Sequence, residues 1–233
     1  MAAILCRIAL AAVLSVAVTA AATAREFTVV AQGRLLIMEI AGHIVSVPGP
    51  LWTEPGETVD VQQSQVVYQQ LGPGVESVLF LPLDETIVTW TRMMGVLAVN
   101  RPCYTASQHL ASIVTPMRRS CAPSQMMVAP ITAADKPEGE ALLLMCGRYL
   151  PTRKGPRNCA GGIVLAFVLQ SEKGAMKAFN EWCTSAFDVA QKSDWPVPEQ
   201  ELNTLAAELL QATRFRPVDE LAEQAGQPQE APQ

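Results

Sequence analysis

ALLLMCGRYLPTRKGPRNCAGGIVLAFVL, residues 141–169, holds two apolar runs, Ala141–Met145 and Ile163–Leu169, on either side of a polar segment punctuated by Gly and Pro. Apolar runs this short, bounded by turn chemistry, have the length of strands rather than helices. Paired antiparallel, they predict a hairpin whose loop carries Arg148, Arg153, Lys154 and Arg157 and whose base is flanked by Cys146 and Cys159. Four cations in one loop make these residues the candidate binding group, suited to an anionic partner such as phospholipid headgroups or an acidic protein face. A hairpin tip also needs charge to stay soluble and to guard a sheet edge, and that plainer role competes with binding.

The same punctuation recurs towards the N-terminus. Phe27–Val30, Leu35–Ile40, Ile44–Val47, Ser64–Leu71, Ser77–Leu81 and Val88–Val99 are short apolar or alternating runs. Gln32-Gly33, Pro48-Gly49-Pro50 and Pro73-Gly74 separate several of them. Such spacing favours a sheet of short strands. Gln125–Ile131 reads as a further strand. A helix is expected after Thr105, because Gln108 three residues on completes a capping box and Leu110, Ile113, Val114 and Met117 share one face; Pro116 should stop or kink it. Met176, Phe179, Trp182, Cys183, Ala186, Phe187 and Ala190 recur at three- and four-residue steps and predict a second helix. Leu202, Leu205, Ala206, Leu209 and Leu210 predict a third, after Pro196-Val197-Pro198. The fold class is therefore α+β, an antiparallel sheet of short strands covered by helices, as one domain over residues 25–217. Residues 218–233, rich in Gln, Pro, Ala and Glu, read as a disordered tail.

Composition narrows the partners. The 233 residues are 49% apolar and only 17% charged, with 17 basic and 22 acidic side chains and a formal charge of -5. An acidic balance without a dense Lys/Arg block argues against nucleic acid. Met1–Ala24 has one cation, Arg7, then an apolar run from Ile8 to Val18, then small residues ending in Ala22-Thr23-Ala24. This is the pattern of a signal peptide cleaved near Ala24. The run is shorter than the roughly 20 residues a membrane anchor needs. Export to the periplasm is the expected fate, with no transmembrane segment left after cleavage.

Export turns the remaining thiols into candidate staples. Several connectivities are open to Cys103, Cys121, Cys146, Cys159 and Cys183. Spacing favours Cys146–Cys159 across the hairpin base and Cys103–Cys121 around the first helix, with Cys183 left as a buried free thiol.

Phe80-Leu81-Pro82-Leu83-Asp84-Glu85-Thr86-Ile87-Val88-Thr89-Trp90-Thr91-Arg92-Met93-Met94 resembles a segment of uncharacterised exported bacterial proteins, in which a Trp-Thr-x-Met run leads into a strand. The layout of strands and helices is similar to the α/β/α sandwich of the Mog1 and PsbP-like families. The resemblance implies that arrangement here and implies no catalytic residues.

Chemistry-bearing motifs are missing from the chain: no H-E-x-x-H, G-x-S-x-G, P-loop, G-x-G-x-x-G or C-x-x-C occurs. No cofactor and no metal site is expected. His43 sits at a turn, and His109 reads as a surface residue of the first helix. Asp84 with Glu85, and Glu138 with Glu140, read as solvated loop charges, and Trp90, Met93 and Met94 as core. The expected function is an exported, non-enzymatic protein that binds a protein or cell-envelope component. The alternative is a small hydrolase-like enzyme whose site converges only in three dimensions, with a concave pocket and convergent polar groups of shifted pKa as its signature.

Overall fold

In the computed structural model, which describes residues 27–53, 57–131, 139–151 and 159–219, alternating apolar residues build two antiparallel sheets. The smaller has the order β1 (Val29–Gln32), β2 (Leu35–Ile40), β3 (His43–Pro48), β11 (Arg214–Pro217). Leu36, Met38 and Ile40 of β2 stand opposite Val47, Val45 and His43 of β3, all of them buried. The β2–β3 turn has two residues in the left-handed region, Ala41 at φ 49° and Gly42 at φ 73°. That is the turn whose twist suits a two-residue hairpin, although Ala tolerates it poorly. Glu76 of the other sheet secures it by accepting a 2.8 Å hydrogen bond from the Ala41 N–H.

The larger sheet has seven strands in the order β4-β5-β6-β10-β9-β8-β7. One meander comprises β4 (Ser64–Gly72), β5 (Val75–Pro82) and β6 (Arg92–Val99). The other comprises β7 (Met126–Ile131), β8 (Gly139–Cys146), β9 (Gly161–Ser171) and β10 (Gly174–Thr184). They meet where β10 pairs with β6, from Ala175 opposite Val99 to Trp182 opposite Arg92. One face carries Phe80, Val78, Met94, Val96, Phe167 and Met176 and packs against the small sheet and against α2 (Glu199–Ala212). On the opposite face α1 (Ala106–Ser120) lays Leu110, Ile113, Val114 and Met117 on Leu142, Leu144, Val164 and Ala166. The capping box at Thr105 and Gln108 is formed, and α1 runs on through Pro116 to Ser120. Trp90, Met93 and Met94 are buried, as core residues should be. No helix among the described residues is long and apolar enough to cross a membrane.

Several expectations need correction. The expected antiparallel sheet is present, but it is not a sandwich covered by helices. Two α-helices are found among the described residues, and a second sheet supplies much of the cover on one face. The predicted helix containing Met176, Phe179, Trp182 and Cys183 is instead strand β10 followed by irregular chain. A strand covered on both faces carries apolar side chains at odd and even positions alike, which imitates helical spacing. Met176, Ala178 and Trp182 face the small sheet, whereas Phe179 and Cys183 pack on the other side.

Between described residues the disulfides are Cys121–Cys146 and Cys159–Cys183, with Cα atoms 5.6 and 5.0 Å apart, so Cys183 is not the free thiol expected. The expected Cys146–Cys159 bridge fails on register, because β8–β9 pairing sets Gly162 opposite Cys146. Cys159 lies further along, where Ala160 N–H donates to Thr184 O at 2.9 Å, and so meets the end of β10 and its Cys183. Cys121 caps the C-terminus of α1 over β8, which rules out its pairing with Cys103 and fastens the helix to the sheet instead.

Candidate functional site

Seven strands about 4.8 Å apart make a sheet roughly twice as wide as four. The small sheet therefore cannot cover the flank formed by β7 and β8. Chain from Val189 to Asn203 covers that flank in part, leaving a cavity of about 610 Å³. Met127, Ile131, Leu143 and Leu165 form its floor, and Trp195 with Leu202 its opposite wall.

Local chemistry fixes that opposite wall. Trp195 Nε1–H donates to Val189 O at 3.1 Å, closing the irregular segment on itself. Pro196 and Pro198 keep the chain extended, Val197 is buried beside Met145 and Ile163, and α2 starts at Glu199 directly after Pro198. The mouth holds the polar residues. Lys192 Nζ lies 2.5 Å from Glu199 Oε1 and 5.9 Å from the Trp195 ring centre, and Asn203 stands one turn beyond Glu199. Apolar walls with a few polar groups at the opening, at this volume, describe a ligand-sized binding cavity. The lysine and the carboxylate form an ion pair across the opening. β7 is the edge strand, and Pro130 within it removes one N–H from the exposed edge.

The residues singled out from sequence lie elsewhere. Arg148 is exposed just past β8, its carbonyl accepting from Ala122 N–H at 2.9 Å. Arg153, Lys154 and Arg157 lie outside the described residues, as do Glu138, Met1–Ala24 and the chain beyond Asp219. The first two residues of the expected tail are tied down: Val218 N–H donates to Gly42 O at 3.1 Å, and Asp219 forms an ion pair with Lys173. Glu85 is a structural acceptor, taking hydrogen bonds from the Thr91 hydroxyl and, at 2.6 Å, from the Thr91 N–H, which fixes the loop before β6.

Neither histidine is a surface residue. His43 is fully buried, stacked on Phe215 with ring centres 4.0 Å apart, with Nδ1 2.9 Å from Ala41 O. His109, expected on the surface of its helix, is also fully buried. Its Nε2–H donates to Ala175 O at 3.1 Å, and burial lowers its pKa from 6.5 to about 4. The helix points this side chain down at β10, a direction that the reading of residues 176–190 as helix concealed.

Among the described residues no group of three or more His, Cys, Asp or Glu could hold a metal ion. No protein-family model, no curated protein and no solved structure matches the chain.

Proposed function

We propose that the protein is an exported, non-enzymatic binding module of the cell envelope, and that the cavity between β7 and α2 holds the apolar chain of an envelope lipid. The observation that carries this reading is the cavity itself: about 610 Å³, walled by Met127, Ile131, Leu143, Leu165 and Leu202, with its charges confined to the mouth. An amphipathic molecule would bury its chain against those walls, each methylene contributing about 0.8 kcal/mol, and leave its head beside Lys192, Glu199 and Asn203. The signal-peptide pattern of residues 1–24, the two disulfides and the resemblance of Phe80–Met94 to exported bacterial proteins all support export to the periplasm.

Displacement of a fluorescent apolar probe by lysophospholipid tests the binding. The exported chain should bind the probe saturably and release it to the lipid. Ala129→Phe, on the cavity lining at the sheet edge, should fill the space and weaken binding about tenfold or more. Absence of saturable binding, or equal binding by Ala129→Phe, would refute the proposal.

A further inference from the structure

A second cavity, of about 280 Å³, opens on the other face of the large sheet beside α1. Its floor is apolar, made by Val75, Leu97 and Val99 from β5 and β6. Its polar walls are Lys177 of β10, Arg101, Tyr104 and Ser112. In a chain with formal charge -5, these walls contain two cations and no acid.

The polar groups are held in place by the fold. Tyr104 sits in the link leading into α1. Its N–H donates to Arg101 O at 2.9 Å, and its carbonyl accepts from Gln170 Nε2 at 3.0 Å. Gln170 also accepts from Ala106 N–H at 2.8 Å, so one side chain of β9 anchors both the link and the first residue of the helix. His109 steadies the Tyr104 ring from behind, edge to face, with centroids 4.7 Å apart. Among the described residues the Tyr104 hydroxyl makes no hydrogen bond, and burial raises its pKa, so it remains an O–H donor.

Lys177 is only weakly satisfied. Its Nζ has Ser112 Oγ at 3.4 Å and the Phe179 ring at 5.6 Å, with no carboxylate within 4 Å among the described residues. Burial lowers its pKa, outweighing the attraction of Glu181 further along the same face of β10. A half-buried ammonium with one weak partner costs stability, and such a cost is borne where a site uses the charge. Ser112 is not arranged as a nucleophile with Lys177 as its base: its hydroxyl donates to His109 O at 2.6 Å and faces the lysine as an acceptor.

From the cavity, its one-signed charge and the open Tyr104 hydroxyl, we infer that this is a binding site for a small organic anion, with its apolar body on Val75, Leu97 and Val99. Lys177 and Arg101 supply the attraction and Tyr104 a hydrogen bond. The volume lies just below the range typical of drug-sized ligands, which restricts the body to a single ring or a short branched chain. The site is independent of the lipid cavity, since the two lie on opposite faces of the sheet.

Isothermal titration of the full mature chain with benzoate, isovalerate and phenyl phosphate tests this, with benzyl alcohol as the uncharged analogue of benzoate. At least one of the anions should bind saturably at millimolar concentration or below, more weakly at high salt, while benzyl alcohol should not. Lys177→Met keeps the stem and removes the charge; it should weaken anion binding about tenfold or more without lowering thermal stability. Tyr104→Phe removes one oxygen and should weaken binding several-fold, a second readout should Lys177→Met fold poorly. Ala129→Phe should bind the same anions as the unsubstituted chain does, which separates this site from the lipid cavity. The inference is overturned if none of the three anions saturates, if benzyl alcohol binds as well as benzoate, or if both Lys177→Met and Tyr104→Phe bind like the parent.

Discussion

Acidification from pH 7 to pH 4 should remove about 3 kcal/mol of folding stability through His109. Its Nε2–H is committed to Ala175 O at 3.1 Å, so the neutral ring carries its proton there and Nδ1 is a bare lone pair. Nδ1 is buried and has no partner. Protonation would create a charge and an unsatisfied donor in a space walled by the Tyr104 ring, with the Lys177 ammonium adding repulsion. The folded-state pKa is therefore about 4, against 6.5 for a free imidazole. Between those values the unfolded chain takes up a proton that the folded chain refuses. The contribution is thus complete above pH 6.5, shrinks as pH falls towards 4 and changes no further below it. A tenfold change in proton affinity is worth about 1.4 kcal/mol, and the gap between 6.5 and about 4 therefore gives about 3 kcal/mol. Urea unfolding at pH 7 and pH 4, on the parent and on His109→Gln, measures it. The glutamine can still donate to Ala175 O but cannot titrate, so its loss of stability on acidification should be smaller by about 3 kcal/mol. Equal losses in the two proteins, at unchanged denaturant dependence, would refute the assignment.

Gly95→Ala should destabilise by about 1–3 kcal/mol, since its Cβ would stand 2.3 Å from Phe179 Cζ and 2.9 Å from Leu79 Cδ2; a circular-dichroism melt unchanged from the parent would contradict that packing. Thr105→Ala removes the α1 cap and should cost about 1 kcal/mol in urea unfolding, partly restored by Thr105→Ser. A non-reducing peptide map of the exported protein should show Cys121 linked to Cys146 and Cys159 to Cys183, and a Cys146–Cys159 link would mean that β8 and β9 pair in another register.

What could be read from the sequence was local. Gly33 and Pro48 mark strand ends in the small sheet, Pro73 the turn between β4 and β5, and Thr105 with Gln108 the start of α1 within a residue. What failed depended on partners distant in sequence. β10 lies between β6 and β9 with both faces covered, so its apolar residues show no two-residue alternation, and helical spacing was the pattern left to see. The Glu172-Lys173-Gly174 turn after the apolar run of β9 was the signal that could have identified it as the second arm of a hairpin. Read as a helix, the same segment places Lys177 away from the anion cavity. On a helix, Lys177 would fall on the solvent side of the Met176 stripe, whereas on a strand it shares a face with Phe179 and points towards Ser112 of α1. The disulfides were missed for a related reason: spacing locates cysteines along the chain, but register decides which of them meet.

Both cavities follow from one mismatch of widths. A seven-stranded sheet that is apolar on both faces must be covered twice, and neither cover reaches its full width. The small sheet and α2 stop short of β7, and α1 stops short of β5 and β6. Each cover is pinned by specific bonds: Cys121–Cys146 and the Gln170 hydrogen bonds hold α1, and the bond from Ala41 N–H to Glu76 holds the small sheet at β5, on the side away from β7. Both have an apolar floor and differ in their charge: Lys192 and Glu199 pair at the mouth of the β7 cavity, whereas the α1 margin carries Lys177 and Arg101 with no acid in the lining. If the fold only had to be stable, replacing Lys177 by Met would be favourable, because the cost of burying the ammonium outweighs its 3.4 Å contact with Ser112, the Phe179 ring and the attraction of Glu181. Its place in that wall is what an anion site needs and packing does not.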